Sequence, residues 1–147
     1  MAMDVKKHFT RVFVIEGRID KLNDKIETLR AKQTSGGGLG DGLGVQKSRN
    51  HGRLEDMSIT ILELEGELAK EKINLLTLET QIRAMSRGLQ SPLERAIITW
   101  RYICRLKWKD IADRAEISEM QTIREHNAAI KKLEMDSICR LTNSIAN

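Results

Sequence analysis

Met120, Arg124, Asn127 and Lys131 follow one another at spacings of four, three and four. On a helix that spacing gathers them on a single face. Thr122, His126, Ala129 and Leu133 gather on the opposite face. The first set can recognise something outside the chain, and the second can pack. At 100° per residue Arg124 lies roughly 200° from Thr122, so it points away from the core. Arginine carries a planar fork that reaches two acceptors at once, the geometry of a guanine edge. Lysine and arginine around it suit phosphate oxygens.

The elements that must position this face are legible from Trp108 to Leu133. Ile111, Ala112 and Ala115 sit on one face of a short helix, and Ala112 is small enough for two helices to cross closely. Ile117 plugs the following turn. Ser118 is a good N-cap, and Gln121 three residues later completes a capping box that bends it back toward Ser118. The pattern is a helix-turn-helix whose second helix enters a major groove. The candidate DNA-contacting residues are therefore Lys109, Ser118, Met120, Gln121, Arg124, Asn127 and Lys131. Upstream, Ser91-Pro92-Leu93-Glu94 combines an N-cap serine, a proline at the first helical position and a capping-box glutamate. Leu93, Ile97, Trp100 and Cys104 line the buried face of the helix that follows, which gives a three-helix head from Pro92 onward. Ile138, Leu141 and Ile145 continue a weak stripe beyond it.

From Pro92 to Leu133 the chain resembles the −35-reading domain at the end of bacterial sigma factors. It is more similar still to phage transcriptional regulators of the RinA/ArpU type, which share that fold. The residues that match are Trp100-Arg101-Tyr102-Ile103, Leu106, Trp108-Lys109-Asp110-Ile111-Ala112, Ser118-Glu119, Gln121, Arg124, His126, Ala129 and Lys132-Leu133. Four positions depart from the pattern. Arg105 and Glu116 stand where turn glycines are common, Lys107 replaces a serine cap, and Thr122 replaces a core valine. The resemblance implies a prophage-encoded activator of late genes, working on double-stranded DNA in the cytoplasm of a bacterial host cell.

The first half of the chain is of another kind. Val5, His8, Val12, Ile15, Ile19, Leu22, Ile26 and Leu29 alternate spacings of three and four, which predicts a helix from about Asp4 to Lys32. Phe9 and Phe13 widen its stripe toward a third element. Leu54 to Leu89 repeats the alternation, with Glu71 its one polar member, and predicts a second helix to about Arg87, ended by Gly88. Ile59, Leu62, Ile73 and Leu76 lie beside that seam, more apolar surface than a two-helix coil needs, and they suggest a homo-oligomer or docking onto the C-terminal helices. Seven of the ten glycines fall between Gly36 and Gly52, so residues 33–53 read as a tip loop. The simplest architecture is all-α: an antiparallel coiled-coil hairpin over residues 1–89, with Leu29 facing Leu54 and Val5 facing Leu78, then a helix-turn-helix domain over 91–147. A parallel inter-chain coil is the rival arrangement.

Composition agrees with long helices. Of 147 residues 40% are hydrophobic but only 3% aromatic, and 31% are charged. A net charge of +4 permits nucleic-acid binding without demanding it. From Arg95 to Arg140 ten Lys/Arg stand against seven Asp/Glu, so charge is spread and not patched. Gly38-Leu39-Gly40 lacks the register of a dinucleotide loop and no Gly-Lys-Ser/Thr occurs, which argues against a nucleotide cofactor. Cys104 and Cys139 form no CxxC pair, and His8, His51 and His126 show no ligand spacing, so no metal is expected. Both cysteines read as reduced thiols. No apolar run approaches a membrane span and no secretory pattern is recognised, so neither export nor a membrane span is expected. No catalytic constellation appears, and the chain is not expected to be an enzyme. The hairpin would set the geometry of an oligomer on DNA or contact RNA polymerase. Two other classes stay open. A phage small terminase subunit also joins a helix-turn-helix to long antiparallel helices, and a structural coiled coil would read nothing.

Overall fold

The computed structural model describes residues 3–35 and 44–146, with side chains except at 44–50, 141, 142, 144 and 146. Every regular element among the described residues is helical. They are α1 (Val5–Ser35), α2 (Gly44–Ser86), α3 (Pro92–Ile98), a π-helical turn (Thr99–Ile103), α4 (Trp108–Ala115) and α5 (Glu119–Ala146). No described helix is long and apolar enough to cross a membrane. The chain divides into two compact units, Met1–Val14 with Leu75–Asn147, and Ile15–Asn74. That division cuts α1 and α2 rather than falling near residue 90.

In the unit Ile15–Asn74 the two helices run antiparallel. Arg18 pairs with Glu71 at 3.8 Å, Arg30 with Glu65, and Gln33 Nε2 donates to Ser58 Oγ at 2.9 Å. Ile15, Leu22, Ile26 and Ile61 are buried between them. Ile19, Leu29, Leu54, Met57, Leu64 and Leu68 are half-buried, so the expected seams are the packed faces. The register differs from expectation. Gln33, not Leu29, reaches the Leu54 carbonyl, and Arg30 stands by Glu65, displacements of roughly one and three helical turns from the expected pairing. The cause is the length of the helices. α1 continues to Ser35 and α2 already begins at Gly44, so most of the expected tip loop 33–53 is helical. Only two glycines, Gly44 and Gly52, fall in the part of that loop α2 absorbs, and each costs about 1 kcal/mol against alanine, which packing can override. The remainder, residues 36–43, lies outside the described residues.

In the other unit Asp4 stands just before α1, and its Oδ1 accepts the Lys7 N–H at 3.0 Å. Val5, Phe9 and Val12 are fully buried. Phe9 meets the Tyr102 ring edge-on at 5.3 Å between centroids, which is the third-element contact the widened stripe suggested. α2 ends at Ser86 in tight turns, with Gly88 N–H donating to Met85 O at 3.1 Å. No described glycine has positive φ, so Gly88 is not a left-handed cap.

α3 starts as predicted: Ser91 Oγ accepts the Glu94 N–H at 3.3 Å, with Pro92 in the first turn. The Glu94 side chain does not close a capping box. It is buried and pairs with Lys132 Nζ at 2.6 Å. The predicted face of this helix fails at Cys104, which is exposed. The π turn explains it. Cys104 N–H bonds Thr99 O, five residues back, at 3.0 Å. The wider turn breaks the 3.6-residue period, so the buried positions run Ile97, Ile98 and Tyr102.

Candidate functional site

α5 is held from two sides, because both α3 and α4 pack on it. α4 closes with Glu116 in the left-handed region, φ 57° and ψ 38°. Ile117 N–H then bonds Ala112 O at 3.2 Å. Ser118 opens α5: its hydroxyl accepts the Gln121 N–H at 3.1 Å, and its carbonyl accepts the Thr122 hydroxyl at 2.9 Å. Three residues thus separate α4 from α5, and each has a stated backbone role or cap.

The two faces of α5 separate as their spacing requires. Thr122 and Ala129 are 0% exposed, His126 1% and Leu133 2%. Ile130 joins them beneath the helix. Met120 is 68% exposed, and Gln121, Arg124, Asn127 and Lys131 are exposed beside it. Arg124 Nη2 lies 3.8 Å from Met120 Sδ. Among the described residues no ion pair engages Arg124, so its charge is not spent on Glu119 or Glu125. Lys109 is exposed on α4, and Ser118 is exposed although its hydroxyl is taken by the cap.

Beneath this face lies a polar and aromatic cluster. His126 Nε2 is 2.6 Å from the Tyr102 hydroxyl, and its Nδ1 is 3.1 Å from Asn127 Oδ1. A neutral imidazole satisfies both if Nδ1–H donates to Asn127 and Nε2 accepts from Tyr102. Trp108 meets the same imidazole edge-on at 4.8 Å. The Arg101 guanidinium stacks 4.4 Å from the Trp108 ring and 4.8 Å from Phe13, and donates to Leu106 O at 2.9 Å. Burial pushes the Tyr102 phenol up to about 12. Burial likewise lowers the His126 pKa below its usual 6.5, the Asn127 bond opposing and the Lys6 and Arg101 charges adding. The imidazole therefore holds the core as a neutral ring. Nothing in this cluster presents a nucleophile to solvent.

The second buried polar contact is Glu94 to Lys132. Glu94 Oε2 is buried and makes no hydrogen bond, so the lysine carries the pairing alone. No group of three His, Cys, Asp or Glu among the described residues could hold a metal ion.

A family model described as "Protein of unknown function (DUF722)" matches residues 15–135, most of the chain. The chain belongs to this family. The match takes in both helices of the antiparallel unit and runs through α3, α4 and the first half of α5. No curated protein and no solved structure matches this DUF722 chain. Spacing alone found both faces of α5 in this DUF722 member, but not the residues that anchor them. Tyr102, Arg101 and Glu94 were invisible as anchors, because the π turn displaces the first two and Lys132 lies 38 residues from Glu94. The usable signal was a cluster of aromatic residues, Trp100, Tyr102 and Trp108, in a chain with only five Phe, Trp and Tyr.

Proposed function

We propose that this chain is a sequence-specific regulator of transcription of the RinA/ArpU type, acting in the cytoplasm of a bacterial host, and that it reads double-stranded DNA with the exposed face of α5. The observation that carries the reading is the separation on α5. Arg124 and its neighbours face solvent, while Thr122, His126, Ala129 and Leu133 are clamped by α3 and α4. A helix rigidly held from behind, with an uncommitted arginine near its N-terminus, suits insertion into a major groove. Two further features support the likeness. Arg105 and Glu116 occupy positions where the resembling domains have turn glycines. They are also the described non-glycine residues with positive φ, 56° and 57°. Lys109 and Lys131 flank the face and suit phosphate contacts.

The test is selection of bound duplexes from a random pool, followed by salt-titrated affinities. A recurring sequence should emerge. Arg124→Ala should weaken binding to it by about 1–3 kcal/mol while random duplex binding stays near normal. Equal losses on both, with a salt slope lower by about one, would make Arg124 a phosphate contact. No retention of duplex even at low salt would overturn the proposal.

A further inference from the structure

α2 carries a second apolar seam that the packing of α1 leaves in solvent. Ile59, Leu62, Gly66, Ala69, Ile73 and Leu76 alternate spacings of three and four. At 100° per residue they centre about 160° from the seam that includes Ile61, Leu64 and Leu68. Their exposure is high: Ile59 55%, Leu62 67%, Ile73 64% and Leu76 62%. The stripe is about 26 Å long at 1.5 Å per residue. Its middle is small. A Cβ at Gly66 would meet nothing within 4 Å, so nothing described within the chain crowds that position or calls for a glycine there. Glycine inside a helix is costly, and small residues on a helix face let a second helix come close.

We propose that this seam binds a second copy of the chain, antiparallel, with the two α2 helices crossing at Gly66 and Ala69. Two-fold pairing then sets Ile59 against Leu76 of the second copy, Leu62 against its Ile73, and Gly66 against its Ala69. The small pair sits at the crossing, and the large pairs fill the gap where the helices diverge. The charges beside the seam choose the direction. Glu63 and Glu65 flank its first half, and Lys70 and Lys72 flank its second half. In the antiparallel pairing Glu63 meets Lys70 of the second copy and Glu65 meets its Lys72, each contact occurring twice. A parallel, in-register pairing would set Glu63 against Ser58 and Lys72 against Thr77, and would keep only the Glu65–Lys70 contact. Glu65 already pairs with Arg30 of its own chain, so Glu63–Lys70 is the contact that decides. An acidic half followed by a basic half complements itself only when reversed. Pairing through this seam does not require DNA.

The experiment uses the full chain in a Cys104→Ser/Cys139→Ser background. Light scattering over a concentration series should give twice 16.7 kDa. Leu62→Glu and Gly66→Leu should each raise the dissociation constant at least about tenfold at unchanged helicity. Gly66→Leu is the sharper variant, since it adds apolar surface and would tighten a merely sticky contact. Ile59→Cys and Leu76→Cys, differently tagged and mixed, should crosslink to each other and not to themselves. A monomer across the series would overturn the proposal and leave the seam to another partner. So would self-crosslinking of Ile59→Cys, which marks a parallel pair, or a tighter Gly66→Leu dimer.

Discussion

Glu116→Gly should make this protein more stable. Glu116 sits at φ 57° and ψ 38°, where its Cβ crowds the following carbonyl. That crowding costs a non-glycine residue roughly 1–2 kcal/mol. Glycine relieves it but has more freedom to lose on folding, which takes back about 0.4–1 kcal/mol. The side chain is exposed, so no burial is lost with it. The net gain should be about 1 kcal/mol, or about 2–4 °C in Tm for a chain of this size. Circular dichroism melts and urea titration of both proteins would measure it. Arg105 provides the contrast. It has φ 56°, but its Nη1 pairs with Glu79 Oε1 at 2.8 Å, with side-chain exposures of 25% and 16%. Arg105→Gly exchanges the same strain for a partly buried ion pair, and should gain nothing or lose stability. If Glu116→Gly melts at or below the wild-type temperature, the left-handed geometry is not strained and the reasoning fails.

His126 predicts a pH dependence. Its folded pKa is lowered and its unfolded value is near 6.5, so the unfolded chain takes up a proton first as pH falls. Its contribution is fully present above about 6.5 and is lost as pH drops through the folded value, at up to about 1.4 kcal/mol per pH unit. Urea titrations at pH 7.5 and 5.5 should show the drop in wild type and a shallower one in His126→Gln; equal slopes would remove His126 as the cause. Lys132→Met should cost about 2 kcal/mol, because it leaves the buried Glu94 carboxylate without its partner. Adding Glu94→Leu should recover most of that loss in a double-mutant cycle, and strict additivity of the two losses would show that the pair does not couple.

Hydrophobic period revealed the parts of this structure where helices are regular. The seam from Val5 to Leu29 and both faces of α5 follow from spacing alone, because burial in a straight helix repeats with its turn. The same logic failed where the period changes. One π turn moved Cys104 into solvent and Tyr102 into the core, and no residue type between Thr99 and Ile103 announces it. Register failed for a different reason. It depends on where the helices stop, and the glycines past Gln33 suggested an earlier stop than Ser35. Glycine is a weak prior against helix when flanking residues pack or bond, as Gln33 does with Leu54 O and Ser58.

The two faces of α5 are also chemically linked, which narrows the proposed reading face. Asn127 is exposed, yet its Oδ1 receives the Nδ1–H of His126, and His126 in turn receives the Tyr102 hydroxyl. Its amide can still donate and its Oδ1 keeps a second lone pair, but the His126 bond fixes the orientation of both. The bidentate contact that an asparagine makes with adenine needs both groups aimed at the base, so Asn127 makes it either in the one orientation the His126 bond allows or by breaking that bond. Breaking it would leave a buried imidazole nitrogen without a partner, at a cost of about 1–3 kcal/mol. That cost is comparable to what a good base contact returns. Ser118 is similarly committed, since its hydroxyl caps α5. The side chains left to discriminate bases are those of the first two turns, Met120, Gln121 and Arg124, with Lys131 further along for phosphate. On the proposed function, Asn127→Ala should therefore weaken DNA binding less than Arg124→Ala and destabilise the fold more. Asn127 acts first as the orienting partner of His126.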